Sequence, residues 1–266
     1  MTDLSEAVAI VTGAGSGIGR GIALALRAEG AEIVVADVSA EAAAAVAAET
    51  DGLAVPTDVT DPVAVQELVD AALGRHGRID VLVNNAGVGP QAAIADMTLE
   101  DWRWLLDVNL WGVIHGVAAV VPLMRAQGSG HIVNIASMSA LAPMPPLGGY
   151  AVGKAGVAVL TEVLAAELEG TGVDATLVLP GPTRTAIGDS LRNRPGAAGA
   201  LREFRNEPPA ELWRTADEVG RRVAEAVRDR EPIVVTHPEL WGRVAARHER
   251  YAAAFRRAAA VPADTA

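Results

Sequence analysis

The sequence predicts an α/β fold, a single domain built on a doubly wound, seven-stranded parallel sheet with helices on both faces. Three observations lead there. Short aliphatic runs alternate with longer Ala/Leu/Val-rich stretches of helical spacing along all 266 residues, the rhythm of a parallel sheet with right-handed crossovers. Half of the residues are apolar but only 3% are aromatic, so the core must be Ala, Val, Leu and Ile, as in strands buried on both faces. The glycine-rich and polar stretches fall directly after strands, at the sheet end where such folds hold ligands.

Taken in order, residues 7–11 form the first aliphatic run, ended by Thr12-Gly13-Ala14-Gly15-Ser16-Gly17-Ile18-Gly19. A helical pattern follows to about Ala28, with Gly30 as its stop. The second strand, 33–36, closes on Asp37; Ser39 then caps an Ala-rich helix to about Glu49. A third short strand, 53–55, leads to Asp58, then to a helix with Asp61 as cap and Pro62 at its first position. The fourth strand, 79–83, runs into Asn84-Asn85-Ala86-Gly87, and one long helix is expected from Thr98 to about Ala126, with Pro122 as a possible kink. A fifth strand, 131–136, precedes a Pro-rich loop and a helix from Tyr150 to about Glu169. The sixth strand, 173–179, ends at Pro180-Gly181-Pro182, and after Ile187 the pattern dissolves until Pro209. A helix at 216–229, a last strand at 233–235 and an amphipathic helix at 238–257 complete the series, with a frayed end at 258–266. No internal repeat or linker divides the chain, so the single domain spans 1–266, with 186–212 as its variable segment.

Composition excludes several classes. A net charge of −11 argues against a nucleic-acid surface. No polybasic run suits an anionic membrane, and the closest approach to a spanning segment, 117–124, is far too short. The N-terminus carries Asp3 and Glu6 where a signal peptide would be basic. Without cysteine there is no disulfide and no thiolate chemistry. These readings point to a soluble, cytoplasmic protein. The five histidines (His76, His115, His131, His237, His248) show no metal-ligand spacing and are expected to be satisfied structurally, so no metal is implied.

Tyr150 and Lys154 stand four residues apart and share a helix face. An ammonium beside a phenol favours the phenolate and draws its pKa down towards the working range; the plain alternative is a surface lysine one turn from a half-buried tyrosine. Gly13, Gly17 and Gly19 turn a strand into a helix whose positive end suits an anion, though the same glycines would serve a tight turn. Asp37, at the end of the second strand, is placed to bond both hydroxyls of an adenosine ribose and to repel a 2′-phosphate; it could also be a simple strand-end cap. No Lys or Arg follows it, and Ser16 in the loop is neutral, so the sequence prefers NAD over NADP, with Arg20 the one nearby cation that could serve a phosphate. Asp58 and Val59 fall where an adenine would lie, or form a loop.

Together, Thr12-Gly13-x-x-x-Gly17-x-Gly19, Asn84-Asn85-Ala86-Gly87, Asn109, Ser137, Tyr150-x-x-x-Lys154 and Pro180-Gly181-x-x-x-Thr185 resemble the short-chain dehydrogenase/reductase family, in its subgroup of about 250 residues with a Rossmann-type fold. The resemblance covers the chain to about residue 187. It implies an NAD(H)-dependent oxidoreductase with Tyr150 as general acid/base and Lys154 favouring the phenolate and bonding the nicotinamide ribose. Ser137 would orient the substrate oxygen, in preference to the nearby Ser139, and Asn109 would hold a water leading from Lys154 to solvent. Gly13, Ser16, Gly17, Ile18 and Gly19 would hold the cofactor with Asn85, Ala86 and Gly87, while Pro180, Gly181, Thr183 and Thr185 would face the nicotinamide. A cofactor-binding scaffold or redox sensor, C=N reduction and epimerisation are the alternatives.

The loops around this site, 88–92, 138–147 and 186–212, carry Met144, Pro145, Leu147, Leu191, Leu201 and Phe204, so a hydrophobic secondary alcohol or its ketone is the expected substrate. Segment 186–212 could be a lid or an ordinary loop, and Arg184 either lies on the surface or reaches an acidic substrate group. Trp102, Trp104, Leu105 and Trp111 exceed what one sheet face needs, which together with the resemblance predicts a homotetramer, or a dimer, through helices 98–126 and 150–169.

Overall fold

The computed structural model describes residues 3–196, 199–205 and 208–260. In chain order the elements are β1 (Val8–Thr12), α1 (Gly17–Ala28), β2 (Glu32–Asp37), α2 (Ala40–Thr50), β3 (Leu53–Pro56) and α3 (Pro62–His76). Then come β4 (Val81–Asn84), α4 (Leu99–Leu106), a π-helical turn (Asp107–Trp111), α5 (Gly112–Gln127) and β5 (Gly130–Ile135). The rest are α6 (Met138–Leu141), α7 (Gly148–Glu167), β6 (Val173–Leu179), β7 (Thr183–Arg184), β8 (Arg214–Thr215), α8 (Ala216–Asp229), β9 (Ile233–Val235) and α9 (Trp241–Ala259). Seven strands form one sheet in the order β3-β2-β1-β4-β5-β6-β9, every neighbouring pair parallel.

The strand pleat sorts the core. In β1, Ala9 and Val11 join the layer of α1, α2 and α8, while Val8 and Ile10 join that of α3, α5 and α7. Helices α1 and α8 meet through small residues: a methyl group added at Gly21 would lie 2.4 Å from the Ala216 carbonyl oxygen, and one at Gly220 would lie 2.2 Å from Gly21. Strand order reverses between β1 and β4, so β2 and β3 lie to one side of the crevice at the strands' carboxyl ends and β5, β6 and β9 to the other.

Four expectations are corrected. The long helix is interrupted, and the departure from α geometry lies at the π turn, not at Pro122, which stands inside α5. The patternless stretch after Ile187 contains a 3-10 helix, Ala186–Asn193, and is closed at its base by the two-residue parallel pair β7–β8. The last helix begins at Trp241 after a 3-10 turn and runs to Ala259, so only residues 261–266 of the expected frayed end remain, outside the described residues. Finally, Leu99–Gln127 and Gly148–Glu167 are long and apolar enough to cross a membrane by composition; here both pack on the sheet, and a core helix of an Ala/Val/Leu protein passes the same test.

Candidate active site

A cleft of about 870 Å³ opens at the carboxyl ends of the strands. Its floor is the turn from β1 to α1. Gly13 (φ 62°) and Gly17 (φ 53°) adopt backbone conformations that favour glycine, and a Cβ at Gly13 would lie 2.7 Å from Ala86 Cα. Ser16 caps α1 without a side-chain bond to the helix, which leaves its hydroxyl and the first-turn N–H groups free to meet an anion. Ile18 lines the cleft as expected. Gly19 lies beside it: a Cβ there would stand 2.3 Å from the Gly13 carbonyl oxygen, so close packing of the turn requires glycine.

Asp37 closes one end. Its Oδ2 accepts from the Gly15 N–H at 2.9 Å and its Oδ1 from the Ser39 N–H at 3.0 Å, so the acid that faces the cleft also holds the glycine loop. Each oxygen keeps a lone pair for a hydroxyl. Arg20, the cation that could have served a phosphate, is paired with Glu49. Asp58 and Val59 line the same end. Asn85 braces the floor, donating from Nδ2 to the Thr12 and Gly13 carbonyls at 2.9 and 3.1 Å. Ala86 and Gly87 line the cleft beside it.

Ser137, Tyr150 and Lys154 converge at the centre. Ser137 caps α6, accepting from the Ser139 N–H at 3.1 Å, and its hydroxyl stands near enough to the Tyr150 phenol to draw its pKa down. Lys154 is 2% exposed; its Nζ donates to the Ile135 carbonyl at 2.8 Å and lies 5.9 Å from the Tyr150 ring centroid. Burial pushes the Lys154 ammonium down to about 8. It also pushes the Tyr150 phenol above its ordinary value, against the pull of Ser137. Among the protein's own groups, then, desolvation outweighs Ser137, and the Tyr150 phenol expected to be lowered stands above its ordinary value in the nucleotide-free protein.

Asn109 is fully buried on the π turn, donating from Nδ2 to the Val88 and Leu105 carbonyls at 2.9 and 3.0 Å and accepting at Oδ1 from the Val88 N–H at 3.1 Å. Both Nδ2 hydrogens are thus spent on backbone carbonyls, which makes Asn109 a brace on the strand-end backbone. A Cβ at Gly87 would lie 3.0 Å from Asn109 Oδ1 and 3.4 Å from Lys154 Nζ, a cradle that only glycine leaves open.

On the far side, Pro180, Gly181, Thr183 and Thr185 line the cleft. Thr185 packs against the glycine loop, 3.1 Å from where a Gly17 Cβ would be. Met144, Leu147 and Phe204 form apolar walls, joined by Trp104, which had been expected at an interface. Leu191 and Leu201 pack in the cluster of Val88 and Leu105 beneath the cleft, not facing it. Arg184 is a surface residue, its guanidinium 5.3 Å over the Trp213 ring.

His237, expected only to be satisfied structurally, is fully buried behind the cleft floor, where it braces the site. Its Nδ1 accepts from the Gly181 N–H at 3.0 Å, and its Nε2 bonds the Leu212 and Pro182 carbonyls at 2.9 and 3.1 Å. It ties the loop after β6 to the end of the variable segment. No spacing signal marks it; only the fold brings these backbones together. His115 Nδ1 bonds the Val59 carbonyl and His131 Nε2 the Thr176 hydroxyl, whereas His131 Nδ1 and His76 Nε2 are buried without a hydrogen-bond partner and His248 is exposed.

This arrangement fits a dinucleotide along the glycine loop and a small molecule against Tyr150. A profile of the short chain dehydrogenases matches residues 7–196. The chain belongs to the short-chain dehydrogenase family. It is 41% identical over 201 residues to a 3-oxoacyl-[acyl-carrier-protein] reductase of Synechocystis, covering 73% of this chain and 81% of that one. Among solved structures it resembles a short-chain dehydrogenase/reductase of Burkholderia phymatum in complex with NAD, with TM-score 0.85 and 35% identity over 94% of this chain and 95% of the other. It also resembles a levodione reductase, with TM-score 0.79 and 34% identity over 91% and 99% of the two chains. As a short-chain dehydrogenase, the protein is an oxidoreductase whose Rossmann-type sheet and single domain match these relatives.

Proposed function

We propose that the protein interconverts a hydrophobic secondary alcohol and its ketone with NAD(H), using Tyr150 as the general acid/base. The observation that carries this reading is the convergence of Ser137, Tyr150 and the buried Lys154 at the centre of a cleft with apolar walls. Bound nicotinamide supplies the hydride acceptor or donor. Tyr150 passes the proton to or from the substrate oxygen, and Ser137 donates to that oxygen so that charge developing on it is stabilised. Lys154 favours the phenolate, and Asn109 fixes the backbone of Val88 beside them. Met144 and Leu147 keep water from the reacting carbon.

Asp37 supports NAD over NADP: a carboxylate pinned at the ribose end, with Arg20 held by Glu49, disfavours a 2′-phosphate. Similarity to a structure in complex with NAD points the same way. The reading carries with it a cytoplasmic location and a homotetramer. Val152, Val159 and Val163 form an exposed stripe on α7, and Trp111 is 50% exposed, apolar surface that a second copy would cover. A monomeric mass at micromolar concentration would refute the assembly.

The functional test is NADH absorbance over a panel of secondary alcohols and ketones, with Tyr150→Phe in parallel. NADH formation by the wild type and a loss of roughly 10²–10⁴ in the variant is expected. Tight NADH binding with no turnover by either protein would overturn it.

A further inference from the structure

The charges along the cleft are segregated. Asp37 and Asp58, after β2 and β3, sit at one end of the sheet. At the other end, beyond β6 and β9, the lining carries Arg192, Arg205 and Arg243 against a single carboxylate, Asp189. Arg205 is neutralised by Asp189 at 3.0 Å and by Glu203. The other two are not. Arg192 donates from Nη1 to the Ala186 and Asp189 carbonyls at 3.4 and 3.0 Å, and no carboxylate among the described residues pairs with it. Arg243, in the first turn of α9, has among the described residues only the Met144 sulfur as a side-chain partner, 4.0 Å from Nη2. The chain carries a net charge of −11, with 33 acidic residues against 22 basic ones, so acids are plentiful as partners. Ten others among the described residues form ion pairs, namely Arg20, Arg27, Arg78, Arg194, Arg205, Arg214, Arg222, Arg228, Arg230 and Arg256. Two free guanidiniums on separate elements at the rim of one apolar cleft focus a positive potential on the substrate end alone.

We propose that the substrate is anionic, its carboxylate or phosphate held by Arg243 and Arg192 at the cleft rim while its alcohol or ketone carbon meets Tyr150. This rests on the oxidoreductase reading for the position of the reacting carbon and goes beyond it in naming the substrate class. The apolar walls of Met144, Leu147 and Phe204 then receive the carbon skeleton between the two ends, and the guanidinium fork suits a planar carboxylate. A neutral ketone would fill the same walls but leave both cations unused.

The test compares a medium-chain or aryl keto acid, its methyl ester, and the same acyl group as a phosphopantetheine thioester, all with NADH. The expected result is a kcat/KM for the acid that exceeds that of the ester and falls steeply with added salt, while the ester's is flat. Arg243→Gln should reduce the acid-to-ester ratio by roughly ten- to a hundredfold, mostly through KM, whereas Arg250→Gln, elsewhere on α9, should leave it unchanged. Preference for the thioester over the acid would assign the rim to phosphate. Turnover of ester and acid alike, with no salt dependence, would overturn the anionic class and leave the oxidoreductase intact. If no ketone reacts, calorimetry of the NADH-saturated protein still decides. Saturable binding of the acid but not the ester, lost in Arg243→Gln, supports the proposal; equal binding, or none, sinks it.

Discussion

Arg194 and Asp101 form a buried ion pair that fastens the variable segment to the first turn of α4. Arg194 Nη2 lies 2.7 Å from Asp101 Oδ1, with side chains 5% and 0% exposed. Asp101 Oδ2 also accepts from the Thr98 and Ala200 N–H groups at 3.0 and 3.2 Å. Burial pushes its carboxyl up, but these bonds and the arginine outweigh that and hold it below the usual range. Arg194→Met should cost roughly 3 kcal/mol of stability, because it strands a buried charge. It should also raise the KM for the ketone more than the Kd for NADH, since the segment it loosens walls the substrate end. Equilibrium denaturation and steady-state kinetics on the same preparation check both effects.

Lys154 gives a prediction of opposite sign for stability and activity. Without added nucleotide its folded pKa is about 8 against 10.5 for the free side chain. The unfolded chain therefore holds this proton more tightly, and the buried charge costs stability at every pH below about 8. The cost fades as pH rises from 8 to 10.5. Lys154→Met should stabilise the nucleotide-free protein at pH 7 by about 3 kcal/mol or somewhat less, while turnover is lost. A variant less stable than wild type at pH 7 would contradict the linkage.

His131 should dominate the acid limb. It is 1% exposed, bonded through Nε2 to Thr176 Oγ1 at 2.7 Å, and burial depresses it to about 4 from 6.5. Here too the unfolded chain binds the proton first. Stability should fall as pH drops from 6.5 to 4 and change little from this group below that. His131→Gln, which keeps a donor for Thr176, should flatten the Tm profile between pH 4.5 and 6.5.

Asp37 couples cofactor choice to loop order. Asp37→Ala should improve use of NADPH relative to NADH by removing a negative charge, yet weaken both, because the Gly15 and Ser39 N–H groups lose their acceptor. Asp37→Asn keeps an acceptor oxygen and should lose less NADH affinity. Dissociation constants for both cofactors, from NAD(P)H fluorescence, separate the charge effect from the loop effect.

What the sequence disclosed follows from local pattern. Aliphatic runs such as 173–179 can only be buried strands in a chain this poor in aromatics, and the glycines at 13 and 17 announce a backbone turn that other residues resist. What it concealed depends on distant partners. The π turn at 107–111 exists because Asn109 spends its side chain on the Val88 backbone, 21 residues away, and on a carbonyl of its own helix. Arg194 reads as one more loop arginine until the fold places Asp101, 93 residues earlier, beside it. Trp104 looked like interface surface because helical spacing alone does not say which neighbour a face meets. The rise of the Tyr150 phenol likewise needs the burial that only packing supplies.

The two-residue ladder between β7 and β8 pairs Thr183 with Arg214 and Arg184 with Thr215. Everything between them leaves and re-enters the domain at a single point. That entry point is anchored on one side by the loop that His237 grips and on the other by α8, which is locked to α1 through Gly21 and Gly220. The stretch from 185 to 213 therefore behaves as an insert that can be exchanged as a unit. Its length and composition can drift, or be transplanted from a homologue, without disturbing the sheet register, so long as Thr185 keeps its packing on the glycine loop and Arg194 its partner Asp101. Selection can thus remake what the protein acts on while the hydride machinery stays as it is.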